Sequence, residues 1–274
     1  MNFKEKTVKI DARKVFYWET SHTKKEVIIL LHGFPGSHKG LVDMAKGLGN
    51  NYRIIIPDLP ACGLSELLEG KHNLENYSRW LNNFLEILSI DKAVIIGHSF
   101  GSRVGLVFSE NYPEKVKKLV LITPVVKVEG LIARFVSIEY RLAKLLPESL
   151  QKLWLSNRVH FGVGHLIIFK TAGAKKREKL IARDREELKN LNPQVNIELF
   201  DEFYRFSLIP VGEKVKNKSL VIAGALDEIA PLNSVQKLSE QLVNSDFVIM
   251  KQAGHVVVAE KPLTVAKIIK KWLN

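Results

Sequence analysis

Six short runs with almost no polar alternation constrain this chain more than any other feature. They lie at residues 27–31, 52–56, 93–96, 119–122, 220–223 and 247–250, and read VIILL, YRIII, AVII, LVLI, LVIA and FVIM. A strand that is apolar at successive positions is buried on both faces, as in a parallel sheet covered by helices. Helical spacing fills the intervals. Leu74, Tyr77, Leu81, Phe84, Leu85 and Leu88 recur every three or four residues and mark one apolar face. Val265, Ile268, Ile269, Trp272 and Leu273 do the same near the C-terminus, with Pro262 where a helix start tolerates it. Strands alternating with helices predict an α/β fold with right-handed crossovers. Residues 7–20 predict a short hairpin at the sheet edge.

The alternation stops between residues 125 and 210. These residues read as helices, for example over 130–146 and 175–191, with no convincing strand. The expected organisation is a core of residues 1–124 and 211–274 with a helical cap, 125–210, inserted above the C-terminal edge of the sheet. Ligands of open α/β sheets bind at that edge, so the cap would roof the pocket.

The chain has 274 residues, 46% hydrophobic and 26% charged, which suits a globular domain with a sizeable core. One cysteine, Cys62, excludes an internal disulfide and a cysteine metal cage. It reads as a small buried filler. No apolar run approaches the roughly 18 residues of a membrane span. The first residues lack the apolar core of a secretory leader, so a cytoplasmic location is expected. The net charge is +12. The basic residues are scattered, and the densest group (Lys175, Lys176, Arg177, Lys179) is followed by Asp184, Glu186 and Glu187, as on a solvated helix face. Neither nucleic acid nor membrane is expected as a partner. His22, His38, His72, His160 and His165 show no metal-ligand spacing, and no metal is expected.

Directly behind the run at 93–96 stands Gly97-His98-Ser99-Phe100-Gly101. A G-x-S-x-G sequence between a buried strand and a helix forms a nucleophile elbow, a sharp turn that presents a serine hydroxyl. Such a hydroxyl needs a base to take its proton, and the base needs an orienting carboxylate. The order along the chain is Ser, then Asp or Glu, then His. Asp227 follows the run at 220–223, and His255 follows the run at 247–250. Glu228 is one residue out of step. A second possible carboxylate position, after the strand at 119–122, reads Thr123-Pro124-Val125-Val126 and holds no acid. Two backbone N–H groups should bind the oxyanion: that of Phe100, after the nucleophile, and that of Phe34, in the loop His32-Gly33-Phe34-Pro35-Gly36-Ser37. Phe34-Pro35 is a candidate cis bond. His32 is expected to support this loop through hydrogen bonds, and His98 to pack beside the elbow. Phe161, Phe169, Phe200, Phe203, Tyr204 and Phe206 either line the pocket or pack between cap helices.

Four motifs together resemble the α/β-hydrolase superfamily in its esterase, haloperoxidase-like and C–C hydrolase branch: residues 32–37, 57–65, 97–101, and the Asp227 and His255 loops. The resemblance implies an eight-stranded, mostly parallel sheet whose second strand is antiparallel, and acyl-enzyme chemistry with no cofactor. Ser99 would attack a carbonyl, His255 would serve as base and then acid, and Asp227 would hold the imidazole. Ser99 stands where dehalogenases and most epoxide hydrolases of the superfamily place aspartate. Two departures are visible: Ala61-Cys62-Gly63 where relatives commonly have Gly-x-Gly, and Ser102 where many have a second glycine. The expected activity is hydrolysis of small to medium apolar carboxylic esters by a monomer or homodimer. Lactonase or C–C hydrolase chemistry on the same residues is one alternative. A non-catalytic small-molecule receptor is another.

Overall fold

The computed structural model describes residues 2–20, 26–128, 138–139, 142–147, 149–151, 167–189 and 192–274. One sheet is formed by β1 (Phe3–Ile10), β2 (Arg13–Thr20), β3 (Val27–Leu31), β4 (Arg53–Pro57), β5 (Ala93–His98), β6 (Val116–Ile122), β7 (Ser219–Gly224) and β8 (Ser245–Met250). The spatial order is β1-β2-β4-β3-β5-β6-β7-β8. Strand β2 runs against both of its neighbours, and every other adjacent pair is parallel. The six apolar runs are β3 to β8. The hairpin extends further than residues 7–20, because β1 starts at Phe3. An edge strand needs no continuous apolar face, so Lys4, Glu5 and Lys6 gave no strand signal. Asp11 and Ala12 turn the hairpin at φ 49° and 63°, as a two-residue turn between twisted strands requires.

Alternate residues of the inner strands divide between two apolar layers. Ile29, Leu31, Ile55, Ile95, Leu119 and Leu121 face α2 (Leu74–Ile87), α3 (Phe100–Asn111) and a later helix, Leu232–Gln241. Ile28, Leu30, Ile54, Ile56, Val94 and Ile96 face α1 (Val42–Leu48) and the C-terminal helix Pro262–Leu273. This two-sided burial is the physical reason the runs lack alternation. Helix α2 starts on a side-chain cap, Asn73 Oδ1 accepting the N–H of Asn76 at 2.9 Å.

Between β6 and β7 the chain makes a long excursion with no strand among its described residues. It contains α4 (Ala174–Lys189), α5 (Pro193–Arg205) and α6 (Ile209–Gly212), followed after β7 by α7 (Leu232–Gln241), α8 (Val257–Glu260) and α9 (Pro262–Leu273). Helix α4 matches the helix expected over 175–191 to within two residues at each end. The helix expected over 130–146 falls largely outside the described residues, as do His22, His160, His165 and Phe161. Asn192 caps α5 by accepting from the N–H groups of Gln194 and Val195, and Pro193 occupies its first position. No described helix is long and apolar enough to cross a membrane.

Candidate active site

Ser99 joins β5 to α3 with φ 51° and ψ −111°, a region that costs a side-chain-bearing residue on the order of 1–3 kcal/mol. Its surroundings hold it there. A Cβ on Gly97 would lie 2.3 Å from the Gly101 carbonyl oxygen, and one on Gly101 would lie 2.2 Å from that of Leu31. Only glycine fits either place. The Ser99 N–H donates to the Ile122 carbonyl at 2.9 Å. Ser102, one of the two departures, ties the elbow to β6: its hydroxyl donates to the Gly97 carbonyl at 2.7 Å and accepts the Ile122 N–H at 3.1 Å.

The Ser99 hydroxyl reaches His255 Nε2 at 2.8 Å, and His255 Nδ1 stands 2.9 Å from Asp227 Oδ2. A carboxylate can only accept, so Nδ1 carries the proton and Nε2 offers its lone pair to the serine. Asp227 Oδ1 accepts the N–H groups of Ile229 and Ala230 at 2.8 and 2.9 Å. The loop after β7 therefore presets the carboxylate that orients the imidazole. All three side chains are buried. Glu228 points away and pairs with Lys170. Such a chain can draw the proton from Ser99 as its oxygen attacks an electrophile.

Two further donors fix the His255 backbone. His98 Nε2–H and Thr123 Oγ–H both donate to the His255 carbonyl at 3.0 Å. Thr123 thus stands at the alternative acid position with a structural task. Burial, reinforced by the adjacent His255, lowers the His98 pKa to about 3, so His98 remains a neutral donor.

The loop after β3 packs directly on the elbow. A Cβ on Gly33 would approach Ser99 Cβ to 3.3 Å. The Phe34–Pro35 bond is cis. His32 braces the loop: Nδ1–H donates to the Gly33 carbonyl at 2.8 Å, and Nε2 accepts the Leu59 N–H at 2.9 Å. Burial holds its pKa below the ordinary histidine value. The Phe34 and Phe100 rings lie edge to face at 6.1 Å, so the loop and the start of α3 stand side by side. The Phe100 N–H belongs to the first turn of α3, whose amides lack intrahelical partners.

The 57–65 segment anchors this loop from behind. Asp58, fully buried, accepts His38 N–H at 2.8 Å, His38 Nδ1–H at 2.9 Å and Leu64 N–H at 2.9 Å. A Cβ on Gly63 would fall 2.0 Å from Asp58 Oδ2. Cys62 is buried, and burial pushes its thiol pKa up, away from thiolate chemistry.

The excursion touches every loop of the site. Ser37 Oγ–H donates to Glu187 of α4 at 2.6 Å. Thr171 presses on Gly254, where a Cβ would lie 2.6 Å from its hydroxyl oxygen. Glu198 and Glu202 of α5 accept the backbone N–H groups of His72 and Leu74 at 2.7 and 3.1 Å. Phe203 packs on Phe100 at 5.7 Å and on Phe200 at 6.2 Å. Phe169 lies in a separate small cluster with Ala172 and Leu180. No group of three or more His, Cys, Asp or Glu among the described residues is arranged to hold a metal ion.

The Asp58–His38 anchor, the Thr123 bond and Arg103, fully buried on α3 one turn after Ser99, were not evident as site elements in the sequence. Asp58 alone had a signal, through its place in the 57–65 motif. The partners of the other two come from distant segments.

A hydrolase-type elbow on this sheet defines a class, and the family comparison agrees. The profile of the α/β hydrolase fold family matches residues 26–262, so the chain belongs to that family. It is 24% identical over 265 residues to the monoacylglycerol lipase ABHD6 of Bos taurus, spanning 91% of this chain and 75% of that protein. It is likewise 24% identical over 286 residues to the uncharacterized hydrolase YugF of Bacillus subtilis, spanning 97% and 96% of the two chains. The crystal structure of a hydrolase from Pseudomonas aeruginosa superposes with a TM-score of 0.82 at 17% identity, covering 100% of this chain and 98% of that one.

Proposed function

We propose that this protein is a carboxylic-ester hydrolase with Ser99 as nucleophile, His255 as general base and acid, Asp227 as its orienting carboxylate, and the N–H groups of Phe34 and Phe100 as the oxyanion hole. The observation that carries the reading is the continuous hydrogen-bonded chain from Ser99 Oγ through His255 to Asp227, at 2.8 and 2.9 Å. Ser99 attacks the ester carbonyl while His255 takes its proton. The tetrahedral oxyanion is held by the two N–H groups. His255 then protonates the leaving alcohol, and an acyl-enzyme remains. Water, deprotonated by the same imidazole, releases the acid and restores the serine. Every proton in this sequence moves through His255 Nε2, and the steps use no cofactor.

Residues 125–210 act as the cap in this reading. Support comes from the hydrogen bonds of α4 and α5 to Ser37, His72 and Leu74, in the connections that follow β3 and β4. The rings of Phe34, Phe100 and Phe203 form an apolar wall beside the elbow, which suits small to medium apolar esters. The monoacylglycerol lipase relatives agree with that substrate class.

The test is fluorophosphonate labelling with peptide mapping, beside turnover of p-nitrophenyl esters of increasing chain length. The label is expected on Ser99, with turnover lost in Ser99→Ala. Equal turnover by wild type and Ser99→Ala would overturn the proposal.

A further inference from the structure

Arg103 lies one turn after Ser99 on α3 and is completely buried. A buried guanidinium normally has a carboxylate partner. This one instead donates to four backbone carbonyls. Nη1 bonds Val125 and Val126 at 2.6 and 3.1 Å, and Nη2 bonds Glu202 and Phe206 at 3.2 and 2.8 Å. Its Nε–H, also buried, has no partner. The guanidinium lies 5.0 Å from the Phe203 ring centre and 5.9 Å from that of Phe206. Burial pushes its pKa down to about 9.

The four acceptors form a pattern. Val125 and Val126 belong to the segment leaving β6 for the excursion, and Glu202 and Phe206 to the segment returning. The two segments also bond each other: Val128 N–H to the Phe203 carbonyl and Leu208 N–H to that of Val126, both at 3.1 Å. These two bonds draw the outgoing segment against the end of α5 and the residues after it, forming a neck, and Arg103 of α3 bonds both of its sides. A lysine gathers its three donors on one ammonium and has no planar fork, so it can hold only part of this four-carbonyl set. From the neck, contacts run straight to the site, because Phe203 lies between Arg103 and Phe100.

The geometry points to Arg103 as a positioning residue that locks both sides of the cap's neck to the nucleophile helix and thereby fixes the Phe203 wall that meets the acyl chain. Its bearing on substrate choice rests on the ester-hydrolase reading, whereas the lock itself does not. The experiment has two arms that separate them. Hydrogen–deuterium exchange, which needs no activity, compares wild type with Arg103→Met and Arg103→Lys. Amides over 125–128 and 203–208 are expected to exchange about tenfold faster in Arg103→Met while β5 and β7 keep their protection, with Arg103→Lys between the two. Unchanged neck exchange, or an equal acceleration throughout the sheet, overturns the lock. If Arg103→Met does not fold, Arg103→Lys decides by the same criterion. In the second arm, KM for p-nitrophenyl octanoate is expected to rise about tenfold in Arg103→Met, while kcat for the acetate stays within about twofold. A common fall in apparent kcat for both esters, with KM for the octanoate unchanged, means that only the folded fraction changed and overturns the specificity role. Failure of the wild type to label at Ser99 counts against the ester-hydrolase reading alone.

Discussion

Two histidine–aspartate pairs stand about this sheet edge with nearly the same geometry. His255 Nδ1 meets Asp227 at 2.9 Å, and His38 Nδ1 meets Asp58 at 2.9 Å. In both, the aspartate also accepts backbone N–H groups, those of Ile229 and Ala230 at Asp227 and those of His38 and Leu64 at Asp58. The pairs differ on the far side of the imidazole. His255 Nε2 faces the hydroxyl of Ser99, a residue held at positive φ on a turn that glycines alone permit. The His38 ring lies flat on the Trp18 indole, with ring centres 3.2 Å apart. An oriented imidazole is therefore a common structural unit, and His255 differs in the hydroxyl that a strained turn brings to its far side. Asp58 and His38 instead staple the chain that follows β3 to the 57–65 segment.

The largest effects separate the pairs by activity. Ser99→Ala should lower kcat/KM for p-nitrophenyl butyrate by about 10⁵-fold, and Asp227→Asn by about 10⁴-fold because the imidazole loses its preset tautomer. Steady-state assays on folded protein check both, and thermal unfolding of Asp227→Asn should stay near wild type. Asp58→Asn should do the reverse. It leaves buried loop donors poorly matched and should cost about 2–3 kcal/mol in urea unfolding, while turnover per folded molecule changes by less than about threefold. A hundredfold loss of turnover would erase the distinction between the pairs.

Acid sharpens the contrast further. The His98 pKa falls from 6.5 to about 3 and that of His72 from 6.5 to about 4, both chiefly through burial. Each folded value is depressed, so the stability from keeping these rings neutral is complete above about pH 6.5 and declines as pH falls toward the folded values. The donors around Asp58 hold its carboxyl below the ordinary 3.8 despite burial, so its contribution is complete above that value and is lost only below it. Urea midpoints measured from pH 7 to 3 should fall first with a slope of about two protons. His98→Gln should remove about one of them, and Asp58→Asn should flatten only the part below about pH 4. The smallest effect concerns Ala61, which adopts φ 65° in the same anchoring loop, a conformation that favours glycine. Ala61→Gly should stabilise the fold by about 0.5–1 kcal/mol in the same urea assay, with turnover unchanged.

Much of this was legible in the chain. The apolar runs at 27–31, 93–96 and 220–223 signalled strands because burial on both faces leaves no polar position. Ser99, Asp227 and His255 follow three such runs, so strand ends alone bring them to one edge. Strand β1 was less visible, since an edge strand with Lys4, Glu5 and Lys6 carries no apolar signature. The excursion was least visible. Its helices are held by polar pairs between remote segments, such as Ser37 with Glu187 and Leu74 with Glu202, and pairs of that kind leave no periodicity.

The sequence by itself determined the layered α/β architecture, the elbow and the identity of the three paired side chains, because each follows from local patterning and chain order. Tertiary structure alone decided which histidine–aspartate pair faces a serine hydroxyl and which lies on an indole. It also decided that Arg103 of α3 gathers four carbonyls from the two ends of the excursion. The physical reason is the same in both cases. A charged or ring side chain takes its role from the groups that surround it, and here those groups come from parts of the chain between 20 and 156 residues away.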